Sequence, residues 1–352
     1  MMKRQRWMVK AVPAAIIAAS LLITGGCGLF SKQASTEIDP PPAGLQENSK
    51  ALEEGQALNQ GEGNQLTVYL KDGNDYIAPV TLSVPLNGDK KPEQVALEVL
   101  VAEGPYANQL PEGFKPVISK GTVINKLDII TDQELAIVDW NEHFTDYNGP
   151  DERRIVEAVT WTLTGFPGIK QVQFWQEGEK LSEMPVDGFP LAQTLSRNVG
   201  INLERSEGID LSRSTPVTLY FSSVTPADTQ YYVPVTRLID RSEDVATAAL
   251  KELIAGPEAT SPLNSVMTQD LEVGSIKIDK DIVTVDLQDQ SYKDGQLMPS
   301  ELIQSVILSL AENTGVSKVQ VQLNGSDNVK DTDNRDYSQP VDRPVHVNAI
   351  KS

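Results

Sequence analysis

The chain has 352 residues, with 49 acidic and 30 basic side chains, and its net charge at pH 7 is −19. This balance argues against a nucleic-acid partner, because phosphate binding depends on clustered Lys and Arg and no such cluster is visible. One Cys and two His leave no intramolecular disulfide and too few ligands for a zinc site built on His and Cys. No cofactor and no metal site is therefore predicted, although an enzyme using Asp, Glu, Ser or Tyr stays open.

The first 26 residues are typical of an export signal. A basic start is followed by an uncharged run, Ala11 to Ile23, that is too short for a stable transmembrane helix. The run ends in Gly25-Gly26-Cys27, which resembles a bacterial lipobox. We expect Cys27 to be acylated with palmitate-type chains, so that the lipid holds the protein on the membrane. The alternative is an ordinary secretory signal with an incidental Cys.

Residues 27–63 are predicted to be the lipid anchor and a disordered tether. They are rich in Gly, Gln, Asn, Ser and Pro and contain one aromatic residue, Phe30. Such a composition buries too little apolar surface to offset the entropy of the chain. After removal of the signal, 26 basic and 49 acidic residues remain, a net charge of −23. An acidic body is repelled by an anionic membrane surface, so binding depends on the lipid.

The rest of the chain repeats one unit. Five segments recur in the same order, among them Ala136-Ile137-Val138-Asp139-Trp140, which returns as Val283-Thr284-Val285-Asp286-Leu287. Collinear repeats at a constant spacing indicate tandem homologous units. We predict a first domain at 64–190, a linker at 191–213 and a second domain at 214–346.

Each unit has the pattern β-β-α-β-β-α-β. Alternation in the strands and helical spacing, as in Leu302, Val306 and Leu310, give each element one apolar face. The predicted fold class is α+β: two similar two-layer α/β sandwiches, each a mixed sheet with helices on one face. Pro79 and Pro234 fall in the second strands of the units, which predicts an edge strand or a bulge there.

Catalytic motifs are weak or missing. His143 and His346 occupy different places in the two units, which favours a structural role for each. Asp139 and Asp286 repeat on a strand, but they belong to different domains and do not form a carboxylate pair. The segment from Asp331 to Asp336 loosely resembles a calcium loop, yet Arg335 replaces an oxygen ligand and Gly is missing at the sixth place. A solvated hairpin is the better interpretation.

Trp175 follows the inward-facing Phe174 and should therefore point away from the core. Gln171 and Gln173 share its face. Coverage by a loop or by the other domain is one explanation. The functional alternative is a surface that binds a protein partner through Trp175, Gln171 and Gln173, because Trp is enriched at interaction hot spots.

Several segments resemble the GerMN domain family of sporulation and spore-germination proteins. They include Val138-Asp139-Trp140, Thr160-Trp161-Thr162-Leu163-Thr164 and Leu195 to Glu204. The resemblance covers nearly the whole chain and implies a fold similar to the ring-building domains of secretion systems, without catalytic residues. It also implies residence on the outer forespore membrane, facing the space between mother cell and forespore. The implied partners are the proteins of the secretion channel that crosses this space.

Two functions from different classes remain open at this point. One is a membrane-anchored assembly or scaffold protein without enzymatic activity, acting in assembly or stabilisation of that channel. The other is an envelope enzyme or carbohydrate-binding lipoprotein that acts on peptidoglycan. An enzyme should have a deep pocket with convergent polar groups, whereas an assembly protein should have exposed surfaces suited to a partner. A solute-binding lipoprotein is a third, weaker alternative.

Overall fold

The structure is a computed structural model, and it describes residues 64–86, 90–191, 193–206, 208–268, 270–293 and 295–349. The predicted signal peptide, Cys27 and the predicted tether lie outside these residues. None of the helices in the described part of the chain is long and apolar enough to cross a membrane.

The first unit has six strands and two helices in the predicted order, with one short strand added at the end. They are β1 (Asn64–Lys71), β2 (Ile77–Val84), α1 (Pro92–Val99), β3 (Ile124–Ile130), β4 (Leu135–Trp140), α2 (Glu152–Leu163), β5 (Gln171–Gln176) and β6 (Glu179–Lys180). Strands β1 and β2 form an antiparallel hairpin, and the other strands form a sheet in the order β3-β4-β5-β6. Strands β4 and β5 are parallel, so this sheet is mixed.

The second unit repeats this order after a short strand in the predicted linker. Its elements are β7 (Glu204–Arg205), β8 (Ser214–Val224), β9 (Gln230–Asp240), α3 (Val245–Ala255), β10 (Leu271–Asp279), β11 (Ile282–Asp289), α4 (Ser300–Thr314), β12 (Lys318–Leu323) and β13 (Val341–Asp342). The sheet order is β10-β11-β12-β13, and β7 joins the hairpin in the order β7-β9-β8. The α+β class is confirmed.

Local sequence explains where the helices begin and end. Pro92 occupies the start of α1, where a missing N–H costs nothing. Helix α3 is capped by Asp244, whose carboxylate accepts a bond from the Thr247 N–H. Helices α3 and α4 end at Gly256 and Gly315, whose φ angles of 87° and 70° suit glycine.

The helices of each unit contact both the hairpin and the four-stranded sheet. Most residues of α2 are consequently buried, including the polar Thr160 and Thr162. The Thr162 hydroxyl accepts a 3.0 Å bond from the Tyr69 N–H on the free edge of β1, and Ser309 does the same for Tyr220 on β8. In each hairpin a helix hydroxyl thus accepts the edge N–H that a further strand would otherwise bind, and the hairpin stays separate from the four-stranded sheet.

The two units share a continuous core. Their buried apolar residues form one connected cluster, to which Phe114 and Tyr231 contribute an edge-on aromatic pair across the units. A salt bridge also joins the predicted linker to the second unit, since Glu312 of α4 accepts a 2.6 Å bond from Arg197. Strands β2 and β9, which contain Pro79 and Pro234, face each other in this contact. We call the contact between the two units the joint.

Candidate partner-binding surface

The outer face of the first four-stranded sheet contains the predicted partner-binding residues. On β5 the side chains of Val172 and Phe174 are 0% and 2% exposed. The residues that alternate with them, Gln171, Gln173 and Trp175, are half-buried. The period of two in a strand explains this alternation. The structure therefore brings all three predicted residues onto one face, and Trp175 points away from the core as expected.

Hydrogen bonds order the side chains of this face. The Trp175 Nε1–H donates a 3.2 Å bond to Gln173 Oε1, and the Thr194 hydroxyl donates to Gln171 Oε1. Across the ladder, Gln173 lies opposite Ile137 and Trp175 lies opposite Asp139. The face thus combines a half-exposed indole with two amides whose positions are fixed. Partner binding by these residues stays a prediction.

The equivalent face of the second unit has a different chemistry. Gln322 stands opposite Asp286 where Trp175 stands opposite Asp139. Gln320, the counterpart of Gln173, is only 8% exposed, and its amide donates a 2.7 Å bond to the Tyr337 carbonyl. The aromatic feature at this position is thus confined to the first unit.

The repeated acids Asp139 and Asp286 hold turns. Asp139 Oδ1 accepts a 3.0 Å bond from the Gly178 N–H, and Asp286 Oδ1 accepts a 2.8 Å bond from the Gly325 N–H. Both glycines have positive φ, at 81° and 79°, which makes them suitable for the turn after the last long strand of each unit. Each unit repeats the same turn and the carboxylate that binds its glycine N–H. The repetition of Asp139 and Asp286 is therefore explained without a bound substrate.

The histidines occupy unrelated surface positions. His143 is exposed, and its Nδ1 lies 2.9 Å from Asp146 Oδ2 in the loop after β4. His346 lies in the segment after β13, where burial lowers the pKa of its imidazole. The two residues are not brought together as a repeated site, which agrees with their non-equivalent positions in the sequence.

The segment from Asp331 to Asp336 is an internally bonded hairpin loop. Asp331 is fully buried, and its carboxylate accepts bonds from the N–H groups of Asp333 and Arg335 and from the Tyr337 hydroxyl. Lys330 and Asp336 pair across the loop as antiparallel neighbours. Among the described residues no group of three or more His, Cys, Asp or Glu is arranged to hold a metal ion.

A shallow, open hollow of about 210 Å³ lies beside β1, between Lys71, Pro116, Asn148 and Arg154. Its cations are already matched by a carboxylate, since Asp151 lies 3.7 Å from Lys71 Nζ and 3.4 Å from Arg154 Nη1. Enzyme pockets are usually larger and enclose much of the ligand. This hollow does not have that shape.

Sequence reasoning missed two residues of structural importance, Asn202 and Asn348. Asn202 comes 26 residues after the end of β5 and Asn348 comes 25 residues after the end of β12, and their φ angles are positive, at 48° and 55°. This nearly equal spacing was the available signal, but Asn202 was noted only within the segment from Leu195 to Glu204 and Asn348 was not singled out.

Comparison with known proteins agrees with the doubled fold. The profile of the Germane family, described as sporulation and spore germination, matches residues 67–182 and 218–329. A solved structure of the tandem GerMN domains of the sporulation protein GerM from Bacillus subtilis superimposes with a TM-score of 0.75. The two are 38% identical, and the match covers 81% of this chain and 99% of that one.

The fold therefore defines a protein of tandem GerMN domains. At the sequence level, this chain is 37% identical to the spore germination protein GerM of Bacillus subtilis (strain 168). The alignment covers 97% of this chain and 99% of the relative. The chain belongs to the Germane family of sporulation and spore-germination proteins.

Proposed function

We propose that this sporulation and germination protein is a lipid-anchored assembly factor without enzymatic activity. It stabilises the secretion channel between mother cell and forespore from the outer forespore membrane. Cys27 carries the lipid, and the tether of residues 27–63 allows the folded body to reach a partner. The outer face of the first sheet, with Trp175, Gln171 and Gln173, binds a protein of that channel.

The single observation that carries the proposal is the partly exposed Trp175 on a sheet face whose side chains are ordered by hydrogen bonds. Trp is favourable at protein interfaces because its large ring is amphipathic and loses little conformational entropy on binding. Its indole N–H is already paired with Gln173, so the exposed ring offers mainly apolar surface. A partly exposed aromatic ring of this kind suits a protein partner, because aromatic residues are enriched in protein interfaces.

The peptidoglycan enzyme is the weaker candidate. The acids that repeat on the strands, Asp139 and Asp286, bond to turn N–H groups and lie in separate units. The open hollow beside β1 contains cations already paired with Asp151. Neither place combines a deep pocket with free carboxylates, which glycoside hydrolysis requires as a close pair.

The test replaces Trp175 by Ala, with Gln322→Ala as the matched control at the equivalent position of the second unit. Crosslinking in sporulating cells, followed by quantification of channel proteins recovered with each variant, measures the contact. We expect Trp175→Ala to reduce recovery by about tenfold or more, in line with a loss of roughly 1–4 kcal/mol at a hot spot. Equal recovery of both folded variants would contradict this assignment.

A second arm addresses enzymatic activity. Asp139→Asn and Asp286→Asn keep an acceptor oxygen for the glycine N–H but remove the charge that acid–base chemistry needs. We expect spores to form and germinate normally with both variants. Loss of spore formation in a folded, correctly located Asp→Asn variant that still crosslinks to the channel would favour the enzyme.

A further inference from the structure

Strands β2 and β9 meet at the centre of the joint without forming a ladder. Each has a proline at the contact, Pro79 on β2 and Pro234 on β9, and proline has no N–H to donate. Because these prolines have no N–H group, the two strand edges cannot form backbone hydrogen bonds with each other at this point. The carbonyl groups of the edges therefore need other donors. The two asparagines that follow the units provide them.

Asn202 follows the first unit and bonds to both strands. Its Nδ2 donates 2.7 Å bonds to the carbonyls of Ile77 in the first unit and Pro234 in the second. Its Oδ1 accepts a 2.8 Å bond from the Ile77 N–H. The Asn202 N–H itself is fixed by a 3.0 Å bond to the buried Glu157 Oε2.

Asn348 follows the second unit and makes the mirrored set of bonds. Its Nδ2 donates 2.8 Å bonds to the carbonyls of Tyr232 in its own unit and Pro79 in the first unit. Its Oδ1 accepts a 2.8 Å bond from the Tyr232 N–H. Each asparagine therefore bonds to its own unit and to the proline carbonyl of the other unit, as in a two-fold symmetric interface.

The segments that contain these asparagines also cross between the units. The Thr236 N–H of the second unit donates a 2.8 Å bond to the Ile201 carbonyl. In the first unit, the Thr81 N–H and hydroxyl donate to the carbonyls of Asn348 and Val347, at 3.1 Å and 2.8 Å. Each unit thus has its hairpin edge covered by the segment that follows the other unit.

We infer that the joint is a self-complementary recognition surface, in which each GerMN unit binds a second GerMN unit through the proline carbonyl on its hairpin edge. The asparagine after each unit provides the specificity, because its Nδ2 supplies the donor that the facing proline edges lack while its Oδ1 accepts an N–H of its own unit. The joint therefore holds the units together without the covalent linker. The partner that this surface fits is another copy of the unit.

The experiment cuts the folded chain within the linker. A protease site is inserted after Glu207 in residues 28–352, and the purified protein is cleaved while folded. Analytical ultracentrifugation over a dilution series then gives the dissociation constant of the two fragments. We expect a 1:1 complex that persists at micromolar concentration, with both fragments folded by circular dichroism.

Three variants test the side chains that form hydrogen bonds across the joint. Asn202→Ala and Asn348→Ala should each raise the dissociation constant by about tenfold or more, because each removes hydrogen bonds to desolvated groups. Asn328→Ala, at an exposed position, is the control and should leave it unchanged. If an asparagine variant does not fold, Thr81→Val tests the same joint, since it removes the hydroxyl bond to Val347 across the joint together with the bond to Thr67 within the first hairpin.

Two results would overturn the inference. The first is a wild-type protein whose fragments separate or unfold at micromolar concentration after the cut. The second is a dissociation constant that is the same for Asn202→Ala, Asn348→Ala and Thr81→Val as for Asn328→Ala.

Discussion

The Tyr231 hydroxyl donates a 2.8 Å hydrogen bond to Asp72 Oδ2 across the joint. Asp72 is 3% exposed, and its other oxygen accepts bonds from the N–H groups of Asn74 and Tyr76 in the turn of the first hairpin. Burial raises the pKa of this carboxyl in spite of these three donors. A tyrosine of the second unit thus helps to stabilise a buried acid in a turn of the first.

Replacing Tyr231 by Phe should lower the free energy of unfolding by about 1–3 kcal/mol, because it leaves a buried acceptor with one donor fewer. Urea unfolding measures this loss. Tyr292→Phe is the control, since the Tyr292 hydroxyl has no hydrogen bond to the described residues. Equal stability of the two variants would mean that the Asp72 contact contributes nothing to the joint.

Glu152 at the start of α2 predicts a pH dependence of stability. Its side chain accepts bonds from the N–H groups of Asp187, Phe189 and Val186 and from the Tyr147 hydroxyl. Burial alone would raise the pKa of this carboxyl, but these donors outweigh it and the pKa lies below its ordinary value. The ionised form therefore stabilises the fold above the ordinary pKa, and this contribution is lost as the pH falls.

Glu152→Gln should cost about 1.5–3 kcal/mol at neutral pH, since the donors lose a charged acceptor. It should also flatten the decline of stability below about pH 5, the region in which glutamate takes up its proton. Thermal unfolding between pH 7 and pH 3 checks both effects. Glu142→Gln, at an exposed position of a surface turn, should change neither the stability nor its slope.

Val306 of α4 is 1% exposed and packs in the helix layer of the second unit. Val306→Asp places an unpaired charge there and should cost at least about 3 kcal/mol, enough to unfold the second unit. Val224→Asp provides the same change at a valine that is 51% exposed, and it should stay folded. Far-UV circular dichroism and limited proteolysis distinguish the two variants. A native Val306→Asp protein would contradict the core assignment.

Cys27 is expected to anchor the protein through its lipid. Cys27→Ala should move the protein from the membrane fraction to the soluble fraction, because a body with a net charge of −23 has no other strong attraction to an anionic surface. Fractionation with and without detergent measures this shift. A variant that stays bound to membranes and still requires detergent for release would exclude the lipid as the anchor.

Local pattern was enough to predict the repeated order of elements and the direction of Trp175, because both follow from the period of two in strands and the helical spacing. It predicted the apolar positions of α4, such as Val306 and Leu310, which are buried. It did not predict the burial of Thr160 and Thr162, because that requires a hairpin on the far side of the helix. Such burial depends on the arrangement of the layers and leaves no period in the sequence.

The prolines illustrate the same difference between local and long-range information. The sequence indicated an edge strand or a bulge at Pro79 and at Pro234. Strand β2 with Pro79 is an edge strand, whereas β9 with Pro234 lies between β8 and the short β7. The sequence did not indicate that Asn348 and Asn202 bond to the two proline carbonyls. A proline shows that a donor is missing, but which distant residue supplies the replacement is decided by the fold.

The segment of residues 345–348 bonds to both strands of the first hairpin, and this contact has a mechanical consequence. Its Val345 carbonyl accepts a bond from the Thr67 hydroxyl on β1, and its Asn348 carbonyl bonds to Thr81 on β2. Asn64 pairs with Val84 at the open end of this hairpin, so a pull on the chain ahead of Asn64 against β2 opens the ladder one pair at a time from that end. The fourth pair is Thr67 with Thr81, and both of these residues are bonded to the segment 345–348. Opening from this end therefore meets that segment after three pairs, and the hairpin detaches only when its bonds to the segment that follows the second unit break as well.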